Sequence, residues 1–276
     1  MTLVIFDMDG TLLNLKSEVS AFTAETLALM RASNIPYTVA TGRTLQAAQG
    51  PIAAHQFALP YILKNGAMIW CPRKQDYSHR HLLTQQEIRH GMTAMIEAQI
   101  TPFVFTLEDC GRHAVYHGTL KSEQEENLAQ LFDDERHLPV EPLSAMPAAA
   151  QVIAISGMGP ADAVQSVIDL IADEKDLVTY TGTAIQEKNL RWMDIHHSRG
   201  SKGSGITALR DELGYDEIIV FGDGENDLSM FSVASESYAP ANAHPELKDR
   251  ATEVIGHHDE DGIAHFLRKR FDLTGG

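Results

Sequence analysis

Two four-residue runs constrain this chain more than anything else in it. Leu3-Val4-Ile5-Phe6 and Ile218-Ile219-Val220-Phe221 are apolar at every position, and each runs straight into carboxylates, Asp7 and Asp9 after the first, Asp223 and Asp227 after the second. A strand with one wet face alternates polar and apolar residues. A run with no polar position is a strand buried on both faces, as in a parallel sheet covered by helices. The flanking sequence supplies such helices. Ser20 reads as the N-cap of a helix to about Met30, and Asn34 as the left-handed residue that ends it; Ile35-Pro36 then leads into Tyr37-Thr38-Val39-Ala40. A third run, Tyr61-Ile62-Leu63, stops at the turn Asn65-Gly66. Past Gly200 the pattern returns, with a helix over 204–213 ending at Gly214, the strand 218–221, a helix over 227–233, and short apolar runs around Tyr238 and Val254-Ile255. Strand, helix, strand in repetition predicts βαβ units.

The middle of the chain has a different grammar. A helix over 85–98 precedes two close strand-like runs, 102–107 and 112–116, separated by Asp109-Cys110-Gly111, which reads as a hairpin. A polar helix over 122–132 and a strand over 152–156 follow. Gly159-Pro160 then opens a helix with Val164, Val167, Ile168 and Ile171 on one face, and strands at 177–180 and 190–195 close the section. The expected fold is α/β: a doubly wound, Rossmann-like parallel sheet core built from residues 1–82 and 193–276. Residues 83–192 form an inserted α+β domain, with antiparallel pairs and helices to one side.

At 276 residues the chain buries a large core without disulfides. Its formal net charge of −16 repels a phosphate backbone at long range, so nucleic acid is not an expected partner. No apolar run is long enough for a membrane span. The N-terminus has no basic region before its four apolar residues and is read as carrying no signal peptide. Cys71 and Cys110 match no zinc or redox spacing, which suits a reducing cytoplasm.

The chemistry lies where polar residues meet strand ends. Asp7 and Asp9 follow the first strand, Thr41-Gly42-Arg43 the second, and Asp223 and Asp227 the strand that ends at Phe221. In an open parallel sheet the carboxyl ends of the strands line one crevice, so three separate segments converge there. Four crowded aspartates repel one another. A divalent cation relieves that repulsion, and an all-oxygen donor set favours a hard ion such as Mg²⁺. Taken alone, Asp7-Met8-Asp9-Gly10 is also ordinary turn sequence. A calcium loop starting at Asp7 is excluded, because Leu12 stands where that loop needs glycine.

Asp7-Met8-Asp9-Gly10-Thr11-Leu12, Thr41-Gly42-Arg43, Lys202 within Ser201-Lys202-Gly203, and the stretch from Gly222 through Asp223, Asn226 and Asp227 to Met230 resemble, in order, the four motifs of the haloacid dehalogenase superfamily. The likeness is greatest to its Cof-like phosphatases, which carry a large α/β cap between the second and third motifs. Asn65-Gly66-Ala67, Asn242-Ala243, Lys248 and Asp261-Gly262 are smaller matches; Asn34 and Pro240-Ala241 depart from the usual residues.

The resemblance implies a Mg²⁺-dependent phosphatase acting on a small phosphorylated metabolite, most naturally a sugar phosphate. It implies that Asp7 is the nucleophile that becomes an aspartyl-phosphate, and that Asp9 is the acid and base. Mg²⁺ would bind the Asp7 carboxylate, the Asp9 backbone carbonyl and Asp223, with Asp227 in support. Thr41, Gly42, Lys202 and Asn226 would hold the phosphoryl group, Asn226 either directly or by orienting Lys202 or Asp227, and the cap would close over the cleft and select the leaving alcohol. A phosphomutase using the same intermediate is the nearest alternative, and a non-catalytic phosphometabolite sensor is a further one. The protein is expected to be a cytoplasmic monomer or small homo-oligomer with no membrane partner.

Other residues keep two readings. Lys202 outside its motif would be a solvated surface lysine. Arg43 either meets the substrate or pairs with a core carboxylate, and Lys188, Arg191 and Trp192 either reach the substrate or only pack. His113 and His117 sit on a strand-like run, and the pairs His196-His197 and His257-His258 fall in expected loops, so no transition-metal site is read from them. Glu123, Glu125, Glu126, Asp133, Asp134 and Glu135 read as a solvated helix face.

Overall fold

The computed structural model describes residues 1–108, 111–134, 137–183 and 189–273. Asp109, Cys110, Glu135 and Lys188, named above, lie outside them. The chain opens with β1 (Thr2–Phe6), α1 (Ala21–Ala32), β2 (Tyr37–Val39), α2 (Leu45–Ile52), β3 (Tyr61–Leu63), β4 (Met68–Cys71) and β5 (Asp76–Arg80). It continues through α3 (Gln85–Glu97), β6 (Phe103–Leu107), β7 (His113–His117), α4 (Glu123–Asp134), β8 (Val140–Pro142), β9 (Gln151–Pro160), α5 (Ala161–Leu170), β10 (Leu177–Thr183) and β11 (Leu190–His197). The last stretch holds α6 (Lys202–Leu213), β12 (Glu217–Phe221), α7 (Leu228–Phe231), β13 (Glu236–Pro240), α8 (Pro245–Arg250), β14 (Glu253–Ile255) and α9 (Gly262–Arg270). Two compact units result, one from residues 1–79 and 201–276, the other from 80–200.

The first unit is built on a parallel sheet of order β14-β13-β12-β1-β2. Leu3 to Phe6 and Ile218 to Phe221 sit at its centre with essentially no exposed surface, as their unbroken apolarity requires. Burying each such side chain contributes about 1.5–3 kcal/mol, so these two strands anchor the core. The helix signals are used as read. The Ser20 side chain accepts the Thr23 N–H, Asn34 has φ +54°, Ser201 caps α6, and Gly214 ends it at φ +73°. The third apolar run behaves differently. β3 meets the parallel sheet through one bridge, Ala40 to Ile62, and its ladder is antiparallel to β4, with β5 beyond. Strands β4 and β5 were not expected, since Asp76-Tyr77-Ser78-His79-Arg80 is too polar to register as a strand. The helix expected over 227–233 is a 3₁₀ turn, Glu225–Asp227, followed by the single turn of α7.

The second unit is a six-stranded sheet of order β10-β11-β9-β6-β7-β8, antiparallel except for the β7–β8 pair. Helices α3 and α5 cover one face, with Met95, Val164 and Val167 against Val104, Ile155, Met193 and Ile195. The expectation of helices on one side fails at α4. Its Phe132 packs edge-on against Phe103 and Phe105, which alternate with Val104 and so belong to the opposite face. β9 runs past the expected end at Ser156. Its extension includes Gly157, where a Cβ would come within 2.3 Å of the Met95 methyl, so the residue that hid the strand is the one that lets α3 close on it. His196 and His197 end β11 and are not in a loop. Glu125, read as part of a solvated face, is buried and accepts the Lys121 N–H. Among the described residues no helix is long and apolar enough to cross a membrane.

Candidate active site

Backbone hydrogen bonds set three loops at one level. The Asp7 N–H donates to the Phe221 carbonyl (2.8 Å), the Ala40 N–H to Phe6 (2.8 Å), and the Thr41 N–H to Ile62 (2.9 Å). The chain leaving β1 therefore emerges between the loops that leave β12 and β2. It coils at once into a wide turn, with Leu12 N–H on the Asp7 carbonyl (3.2 Å) and Leu13 N–H on that of Met8 (2.9 Å). Gly10 makes the turn possible on two counts: its φ is +71°, and a Cβ there would lie 2.4 Å from an Asp223 carboxylate oxygen. Asn242 fastens the turn by donating to the Gly10 carbonyl (2.7 Å).

Four charged groups meet at this point. Lys202, the first residue of α6, has no exposed surface, and its Nζ donates to Asp7 Oδ1 (2.5 Å) and Asp227 Oδ1 (2.6 Å). The other Asp227 oxygen accepts the N–H groups of Asp223 and Gly224, both at 2.9 Å. Asp227 thus ties the loop after β12 to the lysine. Asp223 accepts from the Thr11 hydroxyl (3.1 Å). One carboxylate oxygen from each of Asp7, Asp223 and Asp227 lies within 4.8 Å of the others. Like charges at that separation repel by about 3.5 kcal/mol at an effective dielectric of 20, and one lysine offsets three carboxylates incompletely.

The protonation equilibria follow from this imbalance. Burial pushes the Asp7 carboxyl well above the ordinary aspartate value; Lys202 opposes, while Asp227 and Asp223 reinforce. Burial, then Asp227, pushes Asp223 up to about 6 against the pull of the Thr11 hydroxyl, Lys202 and a hydrogen bond with Asp7. For Lys202, burial works against the charge, but Asp227 and Asp7 outweigh it and the pKa rises. Two carboxyls near enough to hydrogen-bond need a proton or a cation between them. The all-oxygen donor set of Asp7, Asp223 and Asp227 therefore fits a hard divalent ion.

The second loop forms a polar wall. Thr41 is buried, and its hydroxyl oxygen accepts the Arg43 N–H (3.1 Å), which leaves the hydroxyl proton to donate elsewhere. Gly42 lies against Asn65, whose side-chain oxygen accepts from Asn226 Nδ2 (2.9 Å). Asn65 is itself buried, left-handed at φ +54°, and bonded through its N–H to the Thr41 carbonyl (3.0 Å). Asp9, by contrast, is not one of the three grouped carboxylates. Arg43 grips it with Nε (2.8 Å) and Nη2 (2.5 Å).

The structure thus gathers Asp7, Lys202, Asp223 and Asp227 in one cluster, links Gly42 to Asn226 through Asn65, and pairs Arg43 with Asp9. Thr11 and Asn65 were quoted in the sequence motifs without a role; their contacts give them one. Trp192 and Arg191 lie on β11, where the Trp192 ring fills the space a side chain at Gly182 would need and Arg191 donates to the Thr181 hydroxyl (3.1 Å).

A family model described as haloacid dehalogenase-like hydrolase matches residues 4–267. The 5-amino-6-(5-phospho-D-ribitylamino)uracil phosphatase YwtE of Bacillus subtilis (strain 168) is 27% identical over 97% of each chain. The pyridoxal phosphate phosphatase YbhA of Escherichia coli (strain K12) is 25% identical over 96% of each. Among solved structures, the haloacid dehalogenase subclass IIB sugar phosphatase BT4131 superposes with a TM-score of 0.78 at 24% identity, over 99% of this chain and 100% of that one, a likeness of fold.

Proposed function

The chain belongs to the haloacid dehalogenase-like hydrolases, and from that membership we propose that it is a Mg²⁺-dependent phosphatase of small phosphorylated metabolites. The observation that carries this reading is the buried Asp7–Lys202–Asp227 bridge beside Asp223, with a second carboxylate, Asp9, two residues past Asp7 and held outside that bridge. The phosphatase names of the full-length relatives support it.

In the proposed reaction an Asp7 oxygen attacks phosphorus, and the bond from phosphorus to the ester oxygen breaks. Asp9 gives its proton to that departing oxygen, so an alcohol leaves rather than an alkoxide. Asp9, now a carboxylate, takes a proton from a water that attacks the aspartyl-phosphate; the bond from phosphorus to Asp7 breaks, and inorganic phosphate is released. The Thr41 hydroxyl, the Gly42 N–H, Asn226 and Lys202 hold the phosphoryl oxygens, where donors fixed in advance stabilise the charge of the transition state. The Asp7 carboxylate, the Asp9 carbonyl and Asp223, backed by Asp227, would hold Mg²⁺, whose chemistry is to offset the repulsion between an anionic nucleophile and an anionic substrate.

We assign choice of the leaving alcohol to side chains of the inserted unit and take a sugar or polyol phosphate as the substrate class, in line with the phosphoribityl compound in the YwtE name. The cytoplasm is the proposed compartment. The test is phosphate release from a panel of sugar, polyol and nucleotide phosphates, with Mg²⁺ and with EDTA. Mg²⁺-dependent release from some of the panel is expected. Interconversion of sugar phosphate isomers without release would make the protein a mutase, and binding without either reaction a sensor.

A further inference from the structure

The contact between Arg43 and Asp9 is more specific than either residue's place in a motif requires. Each guanidinium nitrogen makes a contact: Nε to Asp9 Oδ2 (2.8 Å), Nη2 to Asp9 Oδ1 (2.5 Å), and Nη1 to the Ala47 carbonyl in the first turn of α2 (2.9 Å). The two partners are unequally fixed. The Arg43 side chain is 16% exposed and that of Asp9 56%. Arginine is thus the anchored member, held by α2, and the carboxylate is the member that its grip aims. The backbone contributes too, since the Arg43 N–H lies on the Thr41 hydroxyl, so the residue that positions Asp9 is rigidly linked to one that faces the phosphoryl group.

We infer that Arg43 is the positioning residue for proton transfer by Asp9: a two-point clamp that fixes where the acid's carboxyl stands relative to Asp7. This rests on the phosphatase reading. The clamp suits the chemistry because the two carboxyl oxygens are inequivalent during the reaction. One carries the proton that passes to the departing ester oxygen, on a lone pair that the fork leaves free, while both stay on the arginine, so the group does not swing away between its acid step and its base step. A planar fork with two parallel N–H groups can do this, and a lysine ammonium, a single point charge on a flexible stem, cannot. The same contacts bear on the substrate. Three of the five guanidinium N–H groups already serve Asp9 and Ala47, so in the clamp role the loss of Arg43 acts on turnover before it acts on binding.

Leaving groups separate this role from a structural or phosphate-binding one. p-Nitrophenolate departs readily without a proton, whereas the alkoxide of a sugar phosphate does not, so proton donation matters far more for the second. The experiment measures kcat and KM for Arg43→Lys, Arg43→Gln and Asp9→Asn on p-nitrophenyl phosphate and on the best alkyl phosphate of the panel, all with Mg²⁺. Misplacing a catalytic group by about 1 Å costs on the order of 100-fold. Both Arg43 variants are therefore expected to lose at least ten times more kcat on the alkyl phosphate than on p-nitrophenyl phosphate, with KM changed less than about threefold. Asp9→Asn is expected to show the same bias, and adding Arg43→Lys to it to lower alkyl phosphate turnover little further, because the two act through one proton. Equal losses on both substrates, or a rise in KM with kcat kept, would overturn the inference and make Arg43 a structural or substrate-binding residue. Failure of the phosphatase reading is distinguishable, because it appears in the unsubstituted protein as absence of Mg²⁺-dependent cleavage of either substrate.

Discussion

Replacing Lys202 with methionine tests the electrostatic core of the site. Methionine nearly conserves the stem's volume and removes only the ammonium, so packing against the start of α6 is largely kept. The wild-type cluster holds three carboxylates and one ammonium, with contacts of 2.5 Å to Asp7 and 2.6 Å to Asp227. Removing one partner of a buried ion pair while leaving the other costs about 3–5 kcal/mol. For a domain the size of the first unit, 1 kcal/mol corresponds to about 2–4 °C in Tm, so the metal-free variant is expected to melt about 6–20 °C below the wild type at pH 7.5. The gap should narrow at pH 5, where the stranded carboxylates neutralise themselves by taking up protons. Mg²⁺ should raise the variant's Tm by more than the wild type's, because its site carries one more net negative charge. Adding Asp7→Asn should recover part of the loss, a coupling that two distant residues would not display. Differential scanning fluorimetry in EDTA and in Mg²⁺ reads all of these. An unchanged Tm for Lys202→Met in EDTA at pH 7.5 would refute the reasoning, since it would mean that the lysine is not what holds the carboxylates together.

Three further outcomes follow from the same geometry. Asp223, with its pKa pushed up to about 6, must lose its proton to bind a cation, so Mg²⁺ affinity measured by calorimetry should rise with pH through that value. In EDTA the sign for stability is the reverse: a folded-state pKa raised above the ordinary 3.8 gives a contribution that is complete below that value and lost as pH rises through about 6. Gly10→Ala places a methyl 2.4 Å from the Asp223 carboxylate at φ +71°, which should lower Tm and weaken Mg²⁺ binding at least tenfold, whereas Gly214→Ala, with φ +73° but no atom within 4 Å, should lower Tm alone. Asn65→Ala strands Asn226 and opens a space beside Gly42, so KM for a phosphate ester should rise several-fold while Mg²⁺ affinity measured without substrate is unchanged.

How much of this was legible in the sequence depends on whether a residue's job is local. The strands β1 and β12 were readable because burial on both faces leaves no polar position, and α1 and α6 because caps and a left-handed terminator are short-range signals. Asp7, Asp9 and Asp223 could be placed because a strand end fixes where the next two or three residues can go, whereas Asp227, six residues on, is brought back by its bonds to Lys202 and to the Asp223 and Gly224 N–H groups. What was not legible came from long-range packing. β3 left the parallel sheet's ladder because it pairs with β4 just after it. α4 crossed to the far face of its sheet to cover Phe103 and Phe105, which no pattern within α4 records. The full length of β9 is not legible because glycine is a poor strand former in isolation, and Gly157 is explained by the Met95 and Ile100 side chains that press on it. In the site, the Asp9 partner of Arg43 could not be read from a tripeptide, because the guanidinium is also held by the Ala47 carbonyl of the next helix.

Asp7 is the proposed acceptor of the phosphoryl group, and a covalent trap tests this directly. Borohydride reduces an aspartyl-phosphate to homoserine, leaving a mark that peptide mass spectrometry can locate. The measurement is to quench the Mg²⁺-loaded protein during turnover of a phosphate ester, reduce it, and sequence the peptide that contains Met1 to Lys16. Homoserine at position 7, absent without substrate and absent in EDTA, is the predicted result. Phosphate release with no homoserine at position 7, or with the mark on Asp9 or Asp223 instead, would contradict it.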